Sequence, residues 1–186
     1  IKKLKIKAEE NSFTIKLFNK ADKTISTLAD YTGNFKANLI HFQNTLSLIY
    51  QNTDGEYWLS DINLTDNSKS DIKLPIPADS TIVAVFKAPV SDTENLIVQC
   101  PNSVYCLNGS EIVEGFPFVH NLIGDSDSSF VAPLSIADVD GNGTLDILIG
   151  GESEIAIIDY SGRLMNPENQ NPEPHTDFIS AGIYAM

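Results

Sequence analysis

Hydrophobic and polar residues alternate in short runs along most of the chain. Clear examples are residues 13–17, 45–50 and 57–59. A period of two places alternate side chains on opposite sides of an extended backbone, so these runs predict β-strands. Six further short apolar runs also predict strands: residues 81–86, 96–100, 104–107, 131–137, 145–149 and 155–158. No segment carries a sustained apolar stripe of helical period, although residues 24–31 are compatible with one or two helical turns. The pattern predicts an all-β protein.

The strands are predicted to pair as hairpins that recur along the chain. Asp54-Gly55 lies between two alternating runs, which is a strong hairpin signal. The apolar pattern of residues 95–108 repeats 51 positions later at residues 146–159. Similar hairpins lie about 48 residues before the first of these and about 44 residues before that, at 46–59 and 4–17. Four hairpins at this interval match the length of β-propeller blades, each of which is a four-stranded sheet.

The predicted fold is therefore a β-propeller segment of about four blades, approximately residues 1–35, 36–80, 81–128 and 129–186. A single blade cannot cover both faces of its sheet, so neighbouring blades must pack against it. Four blades rarely close a ring, and the chain begins at Ile1 without an initiator Met. We therefore expect a piece of a larger propeller with exposed terminal blades. A closed β-sandwich of similar strand count is the alternative. Residues 166–176 are predicted to form a polar, Pro-rich loop.

An acidic loop is the most specific stretch of the sequence. Oxygen-bearing side chains occupy alternate positions of residues 138–146, and Gly143 supplies the positive φ that a tight turn needs. The candidate metal ligands are Asp138, Asp140, Asn142, Thr144 and Asp146. Carboxylate, amide and carbonyl oxygens are hard donors that suit Ca²⁺ better than Mg²⁺, and the loop contains no His or Cys for Zn²⁺ or Cu. We expect a Ca²⁺ site with a structural role.

The flanks of this loop distinguish it from an EF-hand. An EF-hand has a bidentate Glu at position 12 of its loop and a helix on each side. Position 12 here is Ile149, and residues 134–137 and 145–149 both show strand patterns. The sequence therefore predicts strand, loop, strand, and the same argument excludes the helical pair of a dockerin.

Residues 135–151 resemble the calcium-loop repeat of FG-GAP β-propellers, the integrin-α-like (VCBS-type) family, as found in bacterial surface proteins. In that family the loop joins two strands of a blade and binds Ca²⁺ at the edge of the propeller. Residues 104–109 and the Gly-Phe-Pro at 115–117 resemble the strand, Asn-Gly turn and exit of bacterial members. The resemblance covers residues 95–165. The sequence departs from the family in the third blade, where the positions 51 before the ligands are Lys87, Pro89, Ser91, Thr93 and Asn95. Because none is a carboxylate, this blade is expected to hold no metal.

Composition and charge narrow the classes of partner. Hydrophobic residues make up 42% of the chain and charged residues 20%, as expected for a folded protein. No window of 18 apolar residues is present, which argues against a membrane-spanning helix. The formal net charge of -13 repels phosphate backbones and therefore argues against nucleic acids and anionic membranes as partners. The same charge favours divalent cations and cationic partners.

Two further groups of residues have open interpretations. Cys100 and Cys106 either face each other or point to opposite faces of a hairpin, depending on its register. Two small buried residues are favoured over a disulfide. Trp58, Tyr57 and Tyr50 fit packing between blades better than a sugar-binding platform.

The chain shows no recognisable catalytic motif. His41, His120 and His175 are scattered, and no Ser, Cys or Thr lies in a nucleophile motif such as G-x-S-x-G. No catalytic residue is therefore assigned, and Ca²⁺ is the only expected cofactor.

The expected function is a non-enzymatic, Ca²⁺-stabilised propeller that recognises a protein or a glycan or serves as a scaffold. The alternatives are the propeller part of a secreted polysaccharide lyase or hydrolase, and a purely structural spacer. A weak structural Ca²⁺ site fills where Ca²⁺ is millimolar, which favours the cell surface or the extracellular space, or the periplasm. Exposed terminal blades also favour self-association.

Overall fold

The structure is a computed structural model that describes residues 2–36, 40–42, 44–90, 93–120, 133–150 and 155–165. Sixteen β-strands form four antiparallel sheets, and the described residues contain no helix. The all-β prediction is therefore confirmed. The chain divides into two compact units, Ile1–Ser80 and Thr81–Met186, each with two sheets. Within the described ranges, no helix is present that has the length and hydropathy to cross a membrane. The predicted loop at 166–176 lies outside the described residues.

The first unit contains a three-stranded and a five-stranded sheet. The first sheet has the order β1-β2-β3, with strands β1 (Lys2–Ala8), β2 (Ser12–Asn19) and β3 (Thr24–Thr32). The second sheet has the order β4-β6-β7-β8, and β5 also pairs with β6. Its strands are β4 (Asn34–Phe35), β5 (Ile40–Phe42), β6 (Thr45–Gln51), β7 (Tyr57–Asn63) and β8 (Lys69–Lys73). Since β4 pairs with β6, residues 34–35 belong with the second sheet rather than with the first predicted segment.

A buried aromatic and aliphatic cluster holds the first two sheets together. Phe13 and Tyr31 of the first sheet are buried, and their rings stack with centroids 4.6 Å apart. They pack against Leu46, Leu48 and Tyr50 of β6. This position fits the predicted packing role of Tyr50. Alternate side chains of β6 therefore form the face of the second sheet that contacts the first sheet.

The second unit also contains two sheets. The third sheet of the chain has the order β12-β11-β10-β9, and β13 also pairs with β11. Its strands are β9 (Ala84–Val90), β10 (Thr93–Cys100), β11 (Ser103–Asn108), β12 (Glu111–Ile112) and β13 (Phe118–Val119). The fourth sheet has the order β14-β15-β16, with strands β14 (Ser135–Ala137), β15 (Asp146–Gly150) and β16 (Ile155–Ile158).

Within each unit, the second of the two sheets packs against the first through a face at the same position of the sequence repeat. In the first unit, Leu48 and Tyr50 of β6 pack toward the preceding sheet. In the second unit, Ile147 and Ile149 of β15 pack toward the preceding sheet, against residues such as Ile97. Ile147 lies 99 positions after Leu48, which is the sum of the two repeat intervals found in the sequence. The repeat therefore preserves which face of a sheet contacts the sheet before it.

Residues 24–31 are a strand, so the prediction of helical turns there is wrong. Ile15 pairs with Ala29 and Lys16 pairs with Thr27, which leaves Leu28 as an extra residue in a β-bulge. A bulge interrupts the period of two, so Leu28 and Ala29 are neighbours in sequence and both partly buried. This spacing imitates a helical pattern in a segment that is a strand.

The register of the β10–β11 hairpin settles the arrangement of the two cysteines. Cys100 pairs with Ser103, and Cys106 pairs with Ile97. Directly paired residues share a face and neighbours along a strand alternate, so the two thiols point to opposite faces. Both cysteines are buried and free, as the favoured interpretation predicted.

Candidate metal centre

The acidic loop connects two paired strands at one edge of the fourth sheet. Ala137, the last residue of β14, pairs with Asp146, the first residue of β15. The eight residues between them, 138–145, therefore form a closed loop whose two ends are held by the sheet. The predicted order of strand, loop and strand is confirmed, and it differs from the helices of an EF-hand.

Backbone N–H groups of the loop point at its first two carboxylates. Gly141 N donates to Asp138 Oδ1 at 2.8 Å, and Gly143 N donates to Asp138 Oδ2 at 2.9 Å. Asn142 N donates to Asp140 Oδ1 at 3.0 Å. Gly141 and Gly143 have φ values of 75° and 88°, a conformation that side chains with a Cβ rarely adopt. The prediction that Gly143 supplies a positive φ is confirmed, and both glycines help to wrap the loop around its carboxylates.

Three carboxylates converge inside the loop. Asp138, Asp140 and Asp146 each offer one oxygen, and these oxygens all lie within 4.8 Å of one another. Asp138 and Asp140 are exposed, whereas Asp146 has 0% of its surface exposed. A carboxylate has about four acceptor positions, so the hydrogen bonds from the loop leave capacity for a cation.

Asp146 is the distinctive member of this group. Its Oδ2 accepts a hydrogen bond from Val139 N at 2.9 Å, whereas its Oδ1 is buried and has no hydrogen-bond partner in the described part of the chain. Burial raises the pKa of Asp146, and the charges of Asp140, Asp138 and Asp159 raise it further, against the hydrogen bond from Val139. A buried carboxylate oxygen without a donor is costly, and a bound cation removes that cost.

Asn142 and Thr144, the remaining predicted ligands, interact mainly with each other. Asn142 Oδ1 accepts hydrogen bonds from Thr144 N at 2.7 Å and from the Thr144 hydroxyl. Asn142 Nδ2 donates to Asp140 Oδ2 at 2.9 Å. Asn142 Oδ1 therefore has both lone pairs engaged, and it must give up one of these hydrogen bonds to coordinate an ion. The structure brings the three aspartates together and holds the amide beside them.

The third sheet has a shorter connection at the place that corresponds to the acidic loop. Asn95 of β10 pairs with Ala88, as Asp146 pairs with Ala137, and Asn95 lies 51 positions before Asp146. Only six residues separate Ala88 from Asn95, compared with eight in the fourth sheet, and β9 and β10 continue pairing as far as Val90 and Thr93. The constant offset of 51 is therefore wrong before Asn95. Lys87 and Pro89 lie within β9, and Ser91 is outside the described residues.

A fourth carboxylate near the site was not among the predicted site residues. Asp159 follows β16, and Ile158 pairs with Ile147, the neighbour of Asp146. The charge of Asp159 therefore acts on Asp146. Asp159 Oδ1 also accepts hydrogen bonds from the backbone N–H groups of Ser161 and Arg163, each at 2.9 Å. If the pairing of β15 with β16 is continued by one residue beyond Ile147 and Ile158, Asp159 lies opposite Asp146, and this register could have identified it.

The other predicted candidates that the structure describes lie in strands or hydrophobic cores. Tyr57 and Tyr50 are buried and Trp58 packs against the cluster of the first unit, which fits packing rather than a sugar platform. His41 lies in β5, and the His120 side chain is buried. His175 lies outside the described residues.

Comparisons with known proteins assign no family. No family model matches the chain, and no curated protein matches it closely enough to count as a relative. The candidate function therefore rests on the geometry of the acidic loop and on the arrangement of the sheets.

Proposed function

We propose that the chain is a Ca²⁺-stabilised segment of a β-propeller that serves in recognition or scaffolding outside the cytoplasm. A propeller repeats one packing relation between successive sheets. The two sheet pairs support this fold because Leu48 and Ile147, at corresponding repeat positions, each pack toward the preceding sheet. The FG-GAP resemblance of residues 135–151 fits the same architecture.

The observation that carries the ion proposal is the convergence of one oxygen each from Asp138, Asp140 and Asp146. It is supported by the buried Oδ1 of Asp146, which has no hydrogen-bond partner among the described residues. Three carboxylates at this separation repel one another unless a cation lies between them. Oxygen ligands of one Ca²⁺ lie about 2.3–2.6 Å from the ion, so two of them are at most about 5 Å apart. The observed limit of 4.8 Å fits this value. Mg²⁺ holds its ligands at about 2.0–2.1 Å in a stricter octahedral geometry and keeps more bound water, so Ca²⁺ suits this all-oxygen set better.

The ion has a structural role in this proposal. It links Asp138 and Asp140, just after β14, to Asp146 at the start of β15, and thereby fixes the connection between two paired strands. Binding only to the folded state adds about 2.7 kcal/mol of stability at a hundredfold excess over Kd. Two of the three carboxylates are exposed, which favours a weak site that fills in compartments with millimolar Ca²⁺.

Thermal unfolding of the full chain during a Ca²⁺ titration tests the site. The melting temperature is expected to rise with Ca²⁺ in a saturable manner with Kd of about 10⁻⁴–10⁻³ M, and to rise less with Mg²⁺. A D138A/D140A variant should lose this response. The matched control is D22A/D66A, because both of these exposed aspartates also accept hydrogen bonds from turn N–H groups, those of Thr24 and Ser68.

Two results would overturn the ion site: a wild-type melting temperature that is unaffected by Ca²⁺, or a Ca²⁺ response that survives in D138A/D140A.

A separate measurement addresses recognition. Glycan and protein-ligand arrays probed with and without Ca²⁺ should show binding that weakens when the ion is removed. An array without any binder would instead favour a structural spacer.

A further inference from the structure

The first sheet carries lysines on the face that, in the second and fourth sheets, is apolar. Its other face packs against the second sheet through Phe13 and Ile15. In β6, the face toward the preceding sheet presents Leu46 and Leu48, which are buried. On the equivalent face of the first sheet, Lys5 pairs with Lys16 across the strands.

This lysine face extends over all three strands of the first sheet. It is formed by alternate residues of β1 and by the residues paired with them: Lys3, Lys5, Lys7, Thr14, Lys16, Phe18, Ile25, Thr27 and Asp30. Lys5 Nζ lies 5.9 Å from the centroid of the Phe18 ring, and Ile25 is 60% exposed. Direct pairing of Lys5 with Lys16 places like charges opposite each other, which is unfavourable in an isolated sheet. Lys7 forms an ion pair with Glu9 at 2.9 Å, and Asp30 also lies on this face. Four lysines against these two carboxylates leave the face with a net positive charge, beside exposed apolar surface.

The net negative charge of the chain comes entirely from the second unit. Residues 1–80 contain ten lysines and ten acidic residues, and eight of those lysines but only four of those acids lie in residues 1–36. Residues 81–186 contain two cations, Lys87 and Arg163, and 15 acidic residues, which accounts for the whole net charge of -13. Exposed acidic side chains described there are Glu111, Glu114, Asp138 and Asp140.

We propose that the lysine face docks the acidic second unit of another copy of this chain. The proposal follows from charge complementarity between two surfaces of one molecule. Contact between two second units brings like charges together and is disfavoured, whereas contact between the lysine face and a second unit is attractive. Such a contact is heterologous, since it joins different surfaces of the two copies, and it can continue beyond a dimer.

Sedimentation velocity of the full chain over a dilution series tests this contact. The runs are made in EDTA, so that the result is independent of the proposed Ca²⁺ site. At about 50 mM sodium chloride the weight-average sedimentation coefficient should rise with concentration. At about 500 mM, where the Debye length falls to about 4 Å, it should return to the monomer value. A K3E/K5E variant should associate at least about tenfold more weakly at the lower salt concentration.

The matched control is K20E/K36E, which changes the net charge equally at two exposed lysines outside the lysine face. This variant should associate as the wild type does. A wild type that stays monomeric at both salt concentrations, an association that survives at the higher one, or an equal loss in K20E/K36E would each overturn the proposal. A monomeric wild type that heparin-agarose retains through Lys3 and Lys5 would also overturn it and assign the face to an external polyanion.

Discussion

Replacement of Asp146 by Asn is expected to stabilise the chain in EDTA and to destabilise it in Ca²⁺. The substitution keeps an oxygen that can accept the hydrogen bond from Val139 N. It removes a buried negative charge that lies close to Asp138 and Asp140. In EDTA the change should therefore stabilise the chain, whereas in Ca²⁺ it removes a ligand and should destabilise it. The chain itself has an Asn at the equivalent position in the third sheet, Asn95.

The separation of the carboxylates gives the expected size of this effect. Two unit charges 4.8 Å apart repel by about 1 kcal/mol in the dielectric of water and by about 3.5 kcal/mol at an effective dielectric constant of about 20. Because Asp138 and Asp140 are exposed, the lower figure applies to each pair, and about 2 kcal/mol is relieved in total. Burying the new amide N–H groups offsets part of this, which leaves a gain of about 1 kcal/mol in EDTA.

With Ca²⁺ at a hundredfold excess over Kd, the wild type gains about 2.7 kcal/mol that the variant lacks. The variant should then be less stable than the wild type by about 2 kcal/mol. Each kcal/mol corresponds to about 2–4 °C in Tm for a chain of this size. Because the only tryptophan, Trp58, lies in the first unit, calorimetry is preferred to tryptophan fluorescence.

D66N is the matched control, because Asp66 is an exposed turn carboxylate far from the cluster in sequence. Its effect on Tm should be small and equal in EDTA and in Ca²⁺. An effect of D146N with the same sign and size under both conditions would refute the assignment of Asp146 as a ligand.

Three further predictions follow from other parts of the structure. A Cβ on Gly115 would lie 1.8 Å from a backbone oxygen, whereas a Cβ on Gly109 would meet nothing within 4 Å. Both glycines have positive φ, so a substitution by Ala strains the backbone at either position. Chemical denaturation should show that G115A lowers the free energy of unfolding by about 2 kcal/mol or more and G109A by about 1 kcal/mol. Burial raises the pKa values of Cys100 and Cys106 to about 11, so a thiol reagent at pH 8 should label them only after unfolding. Labelling of the native chain at the rate of the unfolded chain would contradict this. Burial lowers the pKa of His120 below 6.5. The contribution of His120 to stability is therefore complete above pH 6.5 and is lost on acidification. Compared with its value at pH 8, the free energy of unfolding should fall less between pH 7 and 5 in H120N than in the wild type.

Asp146 adds a pH dependence of its own in the absence of ion. Because folding raises its pKa above the ordinary value of 3.8, the unfolded state holds this proton less tightly than the folded state. Its contribution to stability is therefore complete below 3.8 and is lost as the pH rises through the folded pKa. Comparison of urea unfolding in EDTA for wild type and D146N across this range measures the contribution, and a parallel pH dependence of the two proteins would contradict it.

The sequence predicted the strands whose side chains alternate cleanly. The alternating run at 13–17 lies within β2, because Phe13 and Ile15 on one face are buried in the core. The run at 155–158 coincides with β16 although it does not alternate, because its consecutive apolar residues are buried on both faces. The prediction for residues 24–31 was wrong because the bulge at Leu28 shifts the alternation of buried and exposed side chains. Strand β8 (Lys69–Lys73) escaped notice because only Ile72 in it is partly buried. An edge strand needs hydrogen bonds from one neighbour and little apolar surface, so its pattern is weak.

The acidic loop was predictable because its ligands lie at fixed spacings within nine consecutive residues. Burial of Asp146 and the influence of Asp159 were not, since both depend on the register of β15 and β16. The shortened loop before Asn95 was also missed, because a constant offset cannot detect the loss of two residues. Local spacing thus defines the candidate ligands, whereas pairing between strands determines which of them is buried.

Anomalous scattering from crystals grown with Ca²⁺ tests directly whether the acidic loop binds the ion. One calcium peak is expected within the loop, about 2.3–2.6 Å from carboxylate oxygens of Asp138, Asp140 and Asp146, with Asp146 Oδ1 among them. Asn142 Oδ1 and the Thr144 carbonyl should complete the ligands. A loop without a calcium peak at millimolar Ca²⁺ would rule out the proposed site, and an ion held without Asp146 would rule out its buried ligand.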